Sequence, residues 1–595
     1  MLHYDSRDAR CKTPYGAVPA GTEIVLHADC GEPLTLVIYR DYEPWQRLPF
    51  QNGEVRFRLD RPQVYWYFFE TPSRRYFRDP MSNRPVESEQ DGATWQLTVY
   101  DPSYQTPDWL RGGVIYQIFP DRFACSHTPK QGVPSDRRLH TSEQELPDPA
   151  EPPGAVPCSD YFGGDLEGIR AHLSRLTALS VRAVYLNPIF EAHSNHRYNT
   201  ADYTRLDPML GTEDDLRALI RDARRDGIRL VLDGVFSHVG LDSVYMNRYG
   251  RYPEPGAWGD PASPYRAWFD FRPDGSYKCW WNVPSLPEVN EDCPSFRAEI
   301  ERAVRKWQSM GLGGWRLDVA DELPDDFIAW LRALLREIDP SAYLLGEVWE
   351  DATTKQKDCV RREYLLGHEL DAVMNYPWRT AILDWVLHGG GELFRERIES
   401  ICENYPAPAL HVLMNLLGTH DTPRLLTALS GLDAEPLPPE QKRACRLTPE
   451  ERRIAVRREI PAVAVQYVLP GLPSVYYGDE QCMEGAGDPY CRGFYSEQAH
   501  EDDVYEVYRA LGAIRAVHPC FRDGGCRILR ADERLLLIAR EGGGERVLAA
   551  VNRTEERIPL PSAGRLLFSS NADEDSLGPF GVRYELAPPS REREV

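Results

Sequence analysis

No run of the 595 residues stays apolar for the roughly 18 positions that a bilayer-spanning helix needs. The first residues, MLHYDSRDARCKTPYG, are charged and hold no apolar secretory core. Basic residues are in deficit: 69 Lys and Arg stand against 92 Asp and Glu, a net charge of −23. That balance excludes recognition of a nucleic-acid backbone, which needs basic surfaces. It leaves a neutral or cationic partner, and no membrane. The 13 cysteines form no CxxC pair and join no histidine at zinc-like spacing. Their odd number leaves at least one thiol unpaired, and so long a chain is no disulfide scaffold. Reduced thiols in a cytoplasm are therefore expected. Tandem repeats are absent too.

What the chain has is patterning. Hydrophobic content of 42% and charged content of 27% describe a globular protein, and its length implies several domains. Residues 1–106 alternate apolar and polar positions, as in TEIVLHAD, LTLVIYRD and WQLTVYD, which predicts an N-terminal β-sandwich. There, Tyr65, Trp66, Tyr67, Phe68 and Phe69 read either as a sugar-stacking platform or as sandwich core, the core being preferred. From 107 to 515 the rhythm changes to strands alternating with amphipathic helices. VIYQIF, RAVYLNP, RLVLDGV, GGWRLDV, AYLLGEV, DAVMNYP, HVLMNLLG and PSVYYGDE make eight buried strands, the count of a (β/α)8 TIM barrel. Helical periods lie between them, such as Leu166, Ile169, Leu173, Leu176 and Leu179. Another is Phe296, Ile300, Val304 and Trp307, with Gly311 as a C-cap. Two connections are unusually long. The stretch 124–160 reads as a surface loop over the barrel mouth, and about 239–294 as a subdomain inserted after strand three. Alternation returns in 516–595, predicting a small C-terminal β-domain with a frayed tail, PPSREREV.

Four carboxylates follow four of the predicted strands: Asp233, Asp318, Glu347 and Asp421. A barrel gathers the C-terminal ends of its strands around one point, so residues far apart in sequence can act together there. Cleaving an acetal with retention needs one carboxylate to attack carbon and a second to protonate the leaving oxygen, about 5–5.5 Å away. Asp318 and Glu347 end consecutive strands and fit that pair. Arg316, two residues before Asp318, shares its face of the strand and is expected to keep Asp318 ionised. Glu347 is expected to be protonated by burial and neighbouring charge. His238 and His420 offer neutral hydrogen-bond donors for sugar hydroxyls. Spacing alone does not say which carboxylate attacks.

The segments DGVFSHVG, GGWRLDVADE, LLGEVWE and LLGTHDTPR resemble the four short conserved regions of the α-amylase family, glycoside hydrolase family 13. VIYQIFPDRFA, YFGGDLEGIRAHL, YLNPIFEAHSNHRYNTADY and YYGDEQCMEGAGDPYCR are similar to its neopullulanase, cyclomaltodextrinase and maltogenic amylase group. The resemblance implies that Asp318 is the nucleophile, Glu347 the acid/base and Asp421 the transition-state stabiliser. It implies that Tyr198, His238, Arg316 and His420 hold the sugar, that Trp349 lies on the acceptor side, and that Asp233 and Arg424 belong to the substrate-binding set. It implies a retaining hydrolase of α-1,4, and also α-1,6, bonds in maltooligosaccharides, pullulan or cyclodextrins, with transglycosylation. The partner is then an α-glucan oligosaccharide or polysaccharide, with a homodimer through the N-terminal domain. An α-glucosidase or oligo-1,6-glucosidase of the same fold, or a non-catalytic α-glucan-binding protein, are the alternatives. The chain departs from the group at Val283, Ser285 and Pro287, where the group reads MPKLN, so substrate preference stays open. No cofactor is required by this chemistry. Calcium, which relatives bind through an Asn at the position of Ser237 and an NGD-type loop where this chain reads RFACSHTPKQG, is left open with the sequence against it.

Overall fold

A computed structural model describes residues 2–41, 43–149, 158–496 and 502–588. Residues 150–157, part of the long stretch after the first barrel strand, and 589–595, the tail expected to fray, lie outside the described residues.

All eight runs expected as buried strands form strands. They are β1 (Val114–Ile118), β2 (Val181–Leu186), β3 (Arg229–Gly234), β4 (Gly314–Leu317), β5 (Tyr343–Gly346), β6 (Ala372–Val373), β7 (Met414–Leu416) and β8 (Leu472–Tyr476). They pair in parallel in the order β6-β5-β4-β3-β2-β1-β8-β7. A parallel bridge between Met374 and Met414 joins the two ends, closing the (β/α)8 barrel. Helices cover such a sheet outside and side chains fill it inside, which is why its strands read as unbroken apolar runs. Gly314 opens β4 at φ 153°, where a Cβ would lie 2.0 Å from the Tyr343 carbonyl oxygen, so a side chain there would push β5 away.

The helical period after β1 becomes two short helices, Leu166–Ala171 and Leu173–Ala178, with every expected core leucine and Ile169 buried. The other forms Pro294–Gln308, whose Phe296, Ile300, Val304 and Trp307 are fully buried. That helix is capped at Ser309, and Gly311 (φ 102°) takes the turn beyond it rather than the cap itself. The stretch 239–294 holds little regular structure, only short turns such as Arg266–Trp268 and Trp280–Asn282. It is held by aromatic packing, with Trp268 against Tyr245 and Phe296 at 4.8 and 5.1 Å.

The N-terminal residues form a three-stranded and a seven-stranded sheet. Tyr65, Tyr67 and Phe69 are at most 2% exposed and pack with Trp95, while Phe68 stacks on Phe77 from the other face. The core reading thus holds for four of the five aromatics. Only Trp66 is part-exposed, and the Arg361 guanidinium lies 4.2 Å over its ring. After the barrel, a six-stranded sheet starts at Gly525 and is organised around the long strand Ser576–Ala587.

Candidate active site

The hydrogen-bond ladder carries the sheet past its strand ends. Asp318 N donates to Gly234 O at 3.1 Å and Glu347 N to Leu317 O at 3.0 Å, so consecutive strands deliver their carboxylates side by side. Arg316, fully buried and paired in register with Asp233, joins them. Its Nη1 donates to Asp233 Oδ1 at 2.7 Å and to Asp318 Oδ1 at 2.8 Å, and its Nη2 to Glu347 Oε2 at 2.7 Å. Bridging by one planar guanidinium keeps the Asp318 and Glu347 carboxyls close on one side of the mouth, as a retaining pair requires. Glu347 is further fixed by Val319 N at 2.9 Å and by Trp349 Nε1 at 3.0 Å. Val319 is a β-branched residue held at φ 39°, a strained conformation that turns its N–H onto the carboxylate.

One guanidinium facing three buried carboxylates cannot keep all of them ionised. Burial first, then the charges of Glu347 and Asp233, push the Asp318 carboxyl well above the usual range, against the pull of Arg316. The expected split, with Arg316 alone holding Asp318 ionised, therefore gives way to a cluster that holds back a proton.

The remaining groups expected in the site converge on the same point. Tyr198 Oη donates to Asp233 Oδ2 at 2.9 Å, beside Tyr185 Oη at 2.7 Å, so Asp233 is filled by protein donors and supports the site from behind. The rings of Tyr198 and His420 stack with centroids 5.3 Å apart and 4° between planes. His420 Nε2 lies 3.1 Å from Asp421 Oδ2, and Arg492 Nη2 lies 3.3 Å from Asp421 Oδ1. Trp349, 45% exposed, stacks on Tyr376 at 3.8 Å beside Glu347. His238 Nε2 faces the Tyr198 carbonyl at 3.1 Å and its Nδ1 faces Ser237 Oγ at 2.9 Å. The carbonyl can only accept, so Nε2 carries the proton and Nδ1 accepts from the Ser237 hydroxyl. Burial pushes His238 down to about 4 and His420 well below its ordinary value, so both rings are neutral donors at pH 7.

Known proteins resemble the chain across the barrel that carries this constellation. The description "Alpha amylase, catalytic domain" fits residues 117–512. The chain belongs to the α-amylase family. It is 31% identical to the amylopullulanase of Thermoanaerobacterium saccharolyticum over 642 aligned residues, covering 96% of this chain and 48% of that protein. It is 33% identical to the cyclomaltodextrinase of Geobacillus thermopakistaniensis (strain MAS1), covering 78% of this chain and 72% of that one. The solved type III pullulan hydrolase of Thermococcus kodakarensis superposes with a TM-score of 0.69 at 25% identity, over 99% of this chain and 100% of that one. The chain thus spans less than half the length of the amylopullulanase it matches.

Nine of the ten residues expected in this α-amylase site gather there. Arg424 does not. It is fully buried and donates to the carbonyl oxygens of Cys491, at 2.8 Å, and of Tyr477, so it braces the backbone behind the mouth instead of meeting a sugar. Four further residues escaped the sequence reading. Gln117 Nε2 lies 2.9 Å from His420 Nδ1, which makes Nε2 the protonated nitrogen, shared between Tyr198 Oη at 2.6 Å and Asp421 Oδ2 at 3.1 Å. Asn187 Nδ2 donates to Tyr198 Oη at 2.8 Å. Tyr185 holds Asp233, and Arg492, also paired with Asp488 at 2.8 Å, holds Asp421. A glutamine inside the apolar run VIYQIF was the available signal, since a buried polar side chain demands a partner.

The family's calcium loop after β1 fails the fit. Asp165 Oδ2 accepts from Ser126 Oγ at 2.6 Å and meets Lys130 Nζ at 2.9 Å, so an ammonium stands where a metal would need oxygen donors. Among the described residues, no group of three or more His, Cys, Asp or Glu is arranged to hold a metal. No helix of the described residues is long and apolar enough to cross a membrane.

Proposed function

We propose that this chain is a retaining α-glucan hydrolase that cleaves α-1,4, and also α-1,6, glucosidic bonds in maltooligosaccharides, pullulan or cyclodextrins. The observation that carries the reading is the bridging of Asp318, Glu347 and Asp233 by the one buried guanidinium of Arg316. In the first step Asp318 bonds to the anomeric carbon while Glu347 delivers the proton held in the cluster to the departing glycosidic oxygen. In the second, Glu347 takes a proton from water, whose oxygen bonds to that carbon as the Asp318 ester breaks. A second sugar replacing water gives transglycosylation. Asp421 and the neutral His238 and His420 hold ring hydroxyls of the distorted sugar, and Tyr198 covers its face. Names borne by the relatives, amylopullulanase, cyclomaltodextrinase and pullulan hydrolase, support this substrate class. No cofactor enters these steps, and the Lys130–Asp165 contact supports calcium independence. Among the described residues no cysteine is joined in a disulfide, which supports a reducing, cytoplasmic setting.

The test is reducing-end release from maltoheptaose and pullulan. Replacing Asp318 by Asn is expected to lower kcat by about 10³-fold or more, because covalent catalysis is lost. Wild-type release no faster than that of the variant would sink the proposal. Panose as the main product from pullulan places the cut at α-1,4 bonds.

A further inference from the structure

At the N-terminal end of the barrel, opposite the carboxylates, lies a second cavity of about 530 Å³. Its walls come from the approach to β1 (Trp109, Arg111), the second residue of β2 (Arg182) and the first residue of β3 (Arg229). Arg224, from the helix Glu213–Arg225, and Arg522, from the short helix before the C-terminal sheet, complete it. Five arginines thus face one cavity against a single lining carboxylate, Asp108, in a chain of net charge −23.

Two of the five are neutralised: Arg522 pairs with Asp108 at 2.9 Å, and Arg111 with Asp523. Arg182, Arg224 and Arg229 have no carboxylate within ion-pair distance among the described residues. Arg229 donates to Ser341 Oγ at 2.8 Å and lies 4.7 Å over the Trp109 ring. The Nε of Arg111 is buried with no acceptor among the described residues. Burial, and then the charge of Arg224, lowers the Arg229 guanidinium from its ordinary value, so the repulsion is felt within the cavity. Converging like charges cost folding free energy unless an anion completes them. A guanidinium fork matches the oxygens of a phosphate, and a dianion answers several forks at once. The volume suits a small molecule, and the acidic chain around it disfavours a nucleic-acid strand.

We propose that this cavity binds a small phosphorylated metabolite, a dianionic phosphate carried on a sugar-sized neutral body that lies against Trp109. The phosphate sits between Arg182, Arg224 and Arg229. By answering three like charges at the floor of the barrel, the bound anion stabilises the folded chain.

The full-length protein is titrated by calorimetry with glucose 1-phosphate and, separately, with inorganic phosphate, both against sodium chloride of matched ionic strength. Thermal melts are recorded alongside. Glucose 1-phosphate is expected to bind with Kd below about 1 mM and to raise Tm, with inorganic phosphate weaker. Exchanging both Arg182 and Arg224 for Ser removes two exposed, unpaired cations and spares the fold. It is expected to weaken binding by about tenfold or more while reducing-end release from maltoheptaose is unchanged. Heat and Tm shifts no larger than those of the salt control overturn the proposal, as does undiminished binding by the double variant. Equal affinity for the two probes removes the sugar body from it. Tighter binding of an oligonucleotide than of glucose 1-phosphate replaces it with a polymer site.

Discussion

Arg316 and the two histidines carry opposite lessons about buried charge. Arg316 is wholly buried yet charged, because three carboxylates surround it. Removing it would leave those carboxylates facing one another. His238, equally buried, has no carboxylate partner; its nitrogens meet a hydroxyl and a carbonyl, and burial holds it neutral with a pKa near about 4. That difference sets a pH dependence. A ring whose folded pKa lies below its unfolded value takes up its proton mainly in the unfolded state. Its contribution is therefore whole above about pH 6.5 and is lost as pH falls toward 4, by about 3 kcal/mol at the lower end. Replacing His238 by Gln should flatten the fall of Tm between pH 7 and 4 relative to wild type. Parallel curves would mean that the ring is not the titrating group. The sequence marked His238 as a neutral donor beside the carboxylates, but not what holds it neutral. Its two partners were settled by the fold, one of them the backbone of Tyr198.

Among elements, legibility followed the physics of burial. The barrel strands announced themselves because parallel strands covered on both faces are apolar throughout, and Asp318 and Glu347 stood out against that background. The departures at Val283, Ser285 and Pro287 left substrate preference open, and this stretch is held through its backbone. Leu241 N donates to Ser285 O at 2.9 Å, Val239 N to Pro287 O at 3.1 Å and Val289 N to Ser237 O at 3.1 Å. Side chains there could change while the strand beside His238 stayed in register. From its turn projects Trp281, 74% exposed at φ 47°, stacked on Trp280, which lies 5.3 Å from the His238 ring. On the proposed function, an aromatic face so held out would meet a sugar beyond the one being cleaved. Changing Trp281 to Ala should raise KM for maltoheptaose about three- to tenfold, the weight of one ring contact, with kcat on a chromogenic monoglucoside unaltered. An unchanged KM would make the tryptophan mere surface. The loop after β1 hid its own device, because Lys130 and Asp165 are far apart in sequence and only their meeting shows a built-in cation. A chelator should leave Tm and turnover unaltered, whereas Lys130→Ala should lower Tm by a few degrees, as the loss of one part-buried ion pair does. A Tm lowered by the chelator and restored by calcium would reverse that conclusion.

On the scale of the whole molecule, the barrel is the middle member of a chain of docked sheets, and its contacts on the two sides differ in kind. Toward the C-terminal sheet they are hydrogen bonds from buried side chains to backbone: Arg540 Nη1 to Val468 O at 3.0 Å and Tyr584 Oη to Ala464 O at 2.5 Å. Toward the N-terminal sheets they include a set of charge pairs onto one barrel helix, Gly391–Asn404. Arg7 meets Glu396 at 2.7 Å, Glu403 at 3.1 Å and Glu399 at 3.4 Å, and Arg78 also pairs with Glu396. Arg7, only 12% exposed, is the one cation that all three glutamates share, although each also meets a second: Arg78 at Glu396, Arg395 at Glu399 and Lys12 at Glu403. Truncating Arg7 to Ala leaves buried carboxylates short of a partner, which costs about 3–5 kcal/mol when an ion pair is broken from one side. The cost falls on the docking, not on either core, so calorimetry of the variant should resolve an N-terminal transition several degrees below that of the barrel. Below that first transition, reducing-end release should match wild type, because no residue of the mouth touches Arg7. Arg7→Lys keeps the charge but loses the fork that spans the glutamates, and should fall between the two. A single transition at the wild-type temperature in Arg7→Ala would show that apolar packing, and not charge, holds the N-terminal sheets to the barrel.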